Sequence, residues 1–82
     1  MHDGASFVDQ EFDGITLPPG TVLRDAVFDA CVLRGVDLSH CSLSDCRFLD
    51  CRFIGCTLTA TRVPNTVFND VQFKDCRVTG VD

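Results

Sequence analysis

The stretch Cys41-Ser42-Leu43-Ser44-Asp45-Cys46-Arg47-Phe48-Leu49-Asp50-Cys51-Arg52-Phe53-Ile54-Gly55-Cys56-Thr57-Leu58-Thr59-Ala60 decides the fold. Cysteine returns every five residues, and a Leu or Phe follows each cysteine by two positions. The register extends outward in both directions. Cys31 and Cys76 lie in it, followed by Leu33 and Val78, and the central position continues through Leu23, Phe28, Leu38, Val63, Phe68 and Phe73. Twelve five-residue units therefore run from Thr21 to Gly80 without a slip. Upstream, Phe7, Phe12 and Leu17 keep the same period but are offset by one residue, with Pro18-Pro19-Gly20 at the join. Every phenylalanine is a central residue, and so is every leucine except Leu49. A helix repeats at 3.6 residues and a strand at 2, so a period of five belongs to a repeat architecture.

The other positions of the unit have their own chemistry. Two residues before the centre, the side chain is small: Ala5, Ala26, Cys31, Val36, Cys41, Cys46, Thr61, Thr66 and Val71. Two residues after it, Asp25, Gly35, Asp45, Asp50, Gly55, Asp70 and Asp75 suit tight turns. Each unit thus buries one large and one small side chain and then turns. Segments such as Ala26-Val27-Phe28-Asp29-Ala30, Val36-Asp37-Leu38-Ser39-His40 and Cys51-Arg52-Phe53-Ile54-Gly55 resemble the pentapeptide-repeat family. The resemblance implies an all-β fold, a right-handed quadrilateral β-helix with four repeats per coil.

With four repeats per coil, residues twenty apart stack one rung above another. The central residues then fall into four columns: Leu23/Leu43/Val63, Phe7/Phe28/Phe48/Phe68, Phe12/Leu33/Phe53/Phe73 and Leu17/Leu38/Leu58/Val78. The reading is one domain over residues 1–82, with a partial first coil over 5–19, about four coils in all, and a height of roughly 18 Å. Pro18-Pro19-Gly20 is expected to form a wider corner, since proline fits a turn and cannot donate to a ladder.

Composition excludes several functions. The net charge is −5, which argues against a nucleic-acid binder working through a basic patch and against docking on an anionic membrane. It permits a basic partner or mimicry of a polyanion. No run of eighteen apolar residues and no basic segment leading an apolar one is present, so neither a membrane span nor a signal peptide is expected, and the expected location is cytoplasmic. Six cysteines in a short chain suggest a disulfide framework only in a secreted setting. Here they occupy the small inward position, so they are expected to be free thiols packed as core. Cys41, Cys46, Cys51 and Cys56 point inward from opposite walls and lack a C-x-x-C spacing, so no metal is expected.

No catalytic constellation is visible. The histidines are His2, near the terminus, and His40, at a corner; no glycine-rich phosphate loop and no paired-carboxylate pocket accompanies them. The expected protein is not an enzyme, uses no cofactor and takes no small-molecule substrate. Its function is expected on the outside. Val27, Val32, Leu49, Ile54 and Val67 flank the centres of the two phenylalanine-bearing faces, beside Arg47 and Arg52. This patch is the candidate site for a protein partner or a second copy of the chain. The end at Gly80-Val81-Asp82 reads like the start of another repeat, so it is expected either to pack end-to-end or to continue into a longer solenoid. Asp25 and Asp45 form one acidic edge, and Asp9, Asp50 and Asp70 the next. The family resemblance implies a second reading for these edges, mimicry of DNA towards a type II topoisomerase with protection from quinolones. Arg24, Arg34, Arg47, Arg52, Arg62 and Arg77 interrupt that acidic field, and turns select Asp in any case.

Overall fold

The computed structural model describes residues 2–81. Twelve strands of three residues each are found among them. They are β1 (Ser6–Val8), β2 (Glu11–Asp13), β3 (Val22–Arg24), β4 (Val27–Asp29), β5 (Val32–Arg34), β6 (Ser42–Ser44), β7 (Arg47–Leu49), β8 (Arg52–Ile54), β9 (Thr57–Thr59), β10 (Val67–Asn69), β11 (Gln72–Lys74) and β12 (Arg77–Thr79). No strand pairs with its sequence neighbour. Each pairs in parallel with the strand one coil away, giving the order β1-β4-β7-β10 on one face (face I) and β2-β5-β8-β11 on the next (face II). Face III holds β9 and β12, extended by the bridges Thr16–Asp37–Thr57. Face IV holds β3 and β6, extended by Ser42–Arg62. The chain is a right-handed quadrilateral β-solenoid of about four coils.

The register is the one the period predicts. Phe28 pairs with Phe48 and Phe48 with Phe68, each twenty residues on, whereas Phe7 pairs with Phe28 across twenty-one. The extra residue is absorbed at Pro18-Pro19-Gly20, where the ladder continues on both sides: Leu17 N–H donates to Asp37 O at 3.1 Å and Gly20 N–H to His40 O at 2.8 Å. The overall extents are 26 × 25 × 20 Å, so this length of solenoid is about as wide as it is tall.

The alternation within each repeat explains the core. The central residue and the small residue two before it point inward, and the two residues flanking the centre point out. Phe28, Phe48, Phe53, Leu33, Leu38, Leu43 and Leu58 are fully buried, together with Ala26, Val36, Thr61 and five of the cysteines. Parallel in-register pairing forces the rings on face I to stack face to face, at centroid separations of 4.9, 4.6 and 5.1 Å for Phe7–Phe28, Phe28–Phe48 and Phe48–Phe68. Contacts between neighbouring faces are tilted instead, as for Phe48–Phe53 at 5.4 Å and 55°.

Every corner sits in the left-handed region. Sixteen described residues have positive φ, spaced five apart except across Pro18-Pro19-Gly20. Seven of the ten that are not glycine are Asp or Asn, which tolerate this conformation best. His40 (φ 58°) also enters this region more readily than most residues, whereas Ala30 (φ 55°) and Ala60 (φ 53°) do not. Ala60→Gly is therefore expected to stabilise the fold by about 1 kcal/mol, read as a raised urea midpoint. The same change at Ala26, which is buried and outside the set of positive-φ residues, should destabilise.

The inward small position does more than fill space. Main-chain ladder bonds from the residue before each centre reach the small residue one coil below, as in Arg52 N–H to Cys31 O at 3.0 Å. Where the small residue one coil up is Cys or Thr, the central carbonyl takes a side-chain donor instead. Cys51 Sγ donates to Phe28 O at 3.2 Å, Cys56 Sγ to Leu33 O at 3.1 Å and Cys76 Sγ to Phe53 O at 3.2 Å. Thr61 Oγ1 does the same to Leu38 O at 2.8 Å, and Thr66 Oγ1 to Leu43 O at 2.5 Å. Cysteine and threonine are interchangeable here because both are small donors. Cys51→Ala is expected to cost about 1–2 kcal/mol, by leaving a buried carbonyl unpaired as well as losing the sulfur. Cys51→Ser, which keeps a donor, should fall between it and wild type in a urea titration.

Candidate interaction surface

The core is filled, so chemistry with other molecules is confined to the outward side chains. On face I they form two columns, Ser6/Val27/Arg47/Val67 and Val8/Asp29/Leu49/Asn69. On face II the columns are Glu11/Val32/Arg52/Gln72 and Asp13/Arg34/Ile54/Lys74. Val27 and Leu49 are thus diagonal neighbours on adjacent strands, as are Val32 and Ile54. Asp29, Arg34, Arg47 and Arg52 stand between them. The surface is a chequer of apolar and charged groups, not an unbroken apolar patch. Val27, Val32, Leu49 and Ile54 are half-buried by these neighbours, whereas Val67 is 47% exposed. Val8, which the sequence reading passed over, is the most exposed of the large apolar residues at 56% and shares its column with Leu49. Its position one after Phe7 in the offset first repeats is the signal that finds it.

The five acidic-edge residues lie on two corner columns that border face I. Asp25 and Asp45 follow Gly4 and precede Asn65 on one corner, and Asp9, Asp50 and Asp70 share the other with Ala30. All five have φ between 53° and 56° and donate their backbone N–H to the coil above where a bond is formed, as from Asp25 to Ser44 O and from Asp50 to Asn69 O, both 3.0 Å. Turn geometry alone therefore accounts for the residue type. Asp37 differs: the Ser39 hydroxyl and backbone N–H stabilise its carboxylate and lower its pKa, with the N–H to Oδ1 bond at 2.9 Å.

Two shallow hollows mark the exterior. One, of about 400 Å³, is lined by His40, Cys41, Ser42, Ala60, Arg62 and Gly80 on the corner between faces III and IV. The other, of about 250 Å³, lies on face II among Arg52, Phe53, Ile54, Gln72 and Lys74. Among the described residues no three His, Cys, Asp or Glu side chains converge as a metal site, and the six cysteines are unpaired. No helix of the described residues is long and apolar enough to cross a membrane. At the C-terminal end Phe68, Phe73 and Val78 are 36, 45 and 49% exposed, so the inward columns open to the outside there.

Stacked parallel strands, left-handed corners every five residues and one large with one small inward side chain per unit define a parallel β-solenoid of five-residue repeats. The chain belongs to the pentapeptide-repeat family: the family model for pentapeptide repeats matches residues 19–50 and 46–82, with eight copies. Solved structures agree on the fold. The chain is similar to QnrB1, a plasmid-mediated fluoroquinolone resistance protein, at 18% identity and a TM-score of 0.57, over 99% of this chain and 46% of that one. It is also similar to Rfr23, a pentapeptide repeat protein from the cyanobacterium Cyanothece 51142, at 11% identity and a TM-score of 0.56, over 94% of this chain and 86% of that one. The chain thus spans less than half the length of the QnrB1 chain. A search of curated proteins gives no match.

Proposed function

We propose that this solenoid is a non-enzymatic protein–protein interaction module that presents side chains at rung spacing on faces I and II. The observation that carries the reading is the division between a packed interior and an exterior on which Val8, Val27, Leu49 and Val67 stand among charged neighbours. Apolar anchors rimmed by charge are the usual composition of a specific interface. Such a module needs neither cofactor nor small-molecule substrate, and six free thiols fit a reducing compartment such as the cytoplasm. Affinity capture with the wild-type chain and with Val27→Asp/Leu49→Asp tests it. The reading expects the double variant to fold and to lose the captured protein by about tenfold or more. Capture of the same proteins at the same yield would overturn it.

A second reading is favoured by one specific feature. Face I is bordered on both sides by carboxylate columns, Asp25/Asp45 and Asp9/Asp50/Asp70, with Arg47 the one cation among its outward residues. Carboxylates repeating along an axis imitate the charge of a DNA strand towards a basic protein. QnrB1, which shares the fold, is a fluoroquinolone resistance protein. On this reading the partner is a type II topoisomerase such as gyrase, and the chain protects it from quinolone-like inhibitors. A supercoiling assay with and without a fluoroquinolone decides: no effect of micromolar protein in either condition removes this alternative.

A further inference from the structure

Face II differs from the other faces in how its charge is ordered along the solenoid axis. Its outward residues begin with Glu11 and Asp13 in the first coil and continue with Arg34, Arg52 and Lys74 in the coils above. The boundary is marked by the one ion pair among the described residues, Arg34 Nη2 to Glu11 Oε1 at 3.6 Å, which is too exposed to tie the face up. A surface that is acidic at one end and basic at the other is complementary to its own inverted copy. A two-fold axis lying in the plane of face II and perpendicular to the solenoid axis keeps each column facing itself and reverses the order of the rungs. It sets Asp13 against the second copy's Lys74 twice over, Glu11 against Gln72, Val32 against the stem of Arg52, and Arg34 against Ile54. The hollow among Arg52, Ile54, Gln72 and Lys74 is where the second copy's Glu11 and Asp13 arrive. Face I has no such order: inversion sets Val27 against Arg47, and its flanking corners oppose carboxylate to carboxylate.

We propose that face II is the contact surface of an antiparallel, side-by-side homodimer. This rests on reading the outer faces as interaction surfaces, and it names a second copy of the chain as the occupant of one of them. Extents of 25 and 20 Å bound the footprint at about 500 Å² per copy, the low end for specific association, so the dimer is weak and salt-sensitive. Like charges oppose it in two places, each twice over: Asp9 meets the second copy's Asp70 at the rim, and Arg34 lies diagonal to the second copy's Arg52 at the centre.

Sedimentation velocity over about 20–500 µM protein, at about 0.05 M and 0.5 M salt, tests the proposal. The expected result is a monomer–dimer equilibrium at low salt that shifts to monomer at high salt. Asp13→Lys and Lys74→Asp, both at exposed positions, each replace two attractive contacts by two repulsive ones and should weaken the dimer about tenfold. Mixed in equal amounts, the two variants should associate as well as wild type, because each then meets its opposite. Asp70→Asn should tighten the dimer a few-fold. Far-UV circular dichroism checks that each variant is folded. A wild type that stays monomeric at low salt, a dimer indifferent to the two reversals, or single variants that fail to rescue each other would overturn the proposal. The reversals leave face I intact, so partner capture by Asp13→Lys and Lys74→Asp proteins reads the proposed function separately.

Discussion

Phe48→Ala is expected to lower the stability of this chain by about 3–5 kcal/mol, a large share of what a domain of this size holds. Phe48 is 1% exposed and lies in the middle of the face I column, stacked on Phe28 at 4.6 Å and on Phe68 at 5.1 Å, with Phe53 at 5.4 Å on the next face. Truncation removes ring contacts above, below and beside it. The backbone cannot close the gap, because both strands flanking β7 are fixed by ladder bonds. A solenoid adds a second consequence. Each coil touches only its neighbours, so a void between coils uncouples the ones on either side. The variant should therefore unfold at lower urea and over a broader range than wild type. Phe73→Ala is the control: Phe73 is 45% exposed, has a single stacking neighbour in Phe53 at 4.9 Å, and should cost about 1 kcal/mol. Equal losses for the two would show that the column does not carry the stability.

Alkaline pH is expected to unfold the chain through its thiols. Burial raises the pKa of Cys41, Cys46, Cys51 and Cys56 above the ordinary thiol value of 9.0, because a thiolate is poorly solvated in the core. Nearby carboxylates add to this for Cys41 and Cys46, as Asp37 and Asp25 do respectively, while bonds to neighbouring backbone oppose it. The sign follows from proton counts. Between about pH 9 and the higher native values, the unfolded chain has lost thiol protons that the folded chain still holds. The thiols' contribution is complete below about pH 9 and declines as pH rises above it, by up to about 1.4 kcal/mol per pH unit for each thiol. Four act together, so the urea midpoint should fall as the pH rises above about 9. Replacing Cys46, Cys51 and Cys56 by Thr, the residue that takes the same bond at Thr61 and Thr66, should flatten that slope. A midpoint that is unchanged across the range would mean that the thiols are not sealed in the core. Slow labelling of the five buried cysteines by a thiol reagent at neutral pH, accelerating only on unfolding and set against faster labelling of the partly exposed Cys76, is the companion result.

The sequence alone determined the architecture, because a five-residue period leaves each residue one structural role. The stacking of Phe28 on Phe48, the place of Cys51 in the core, the turn at Asp50 and the absorption of one residue near Pro18 all follow from position in the repeat. The outward position of Val27 and Leu49 follows in the same way. Three things did not, and each depends on neighbours one coil away. Nothing in the period announces that inward Cys and Thr side chains bond central carbonyls 23 residues earlier, since that bond exists only once coils stack. The period puts Ala30, His40 and Ala60 at corners, but it did not show that alanine there is held at positive φ, because that conformation is imposed by the four-sided coil and not by those residues. And it presented the apolar flanking residues as one patch, whereas parallel pairing sets Arg47 on Val27, Asp29 beside Leu49, and Arg34 and Lys74 on either side of Ile54. Residues far apart in the chain become surface neighbours only through the coil, and it is this stacking that orders face II from acidic to basic.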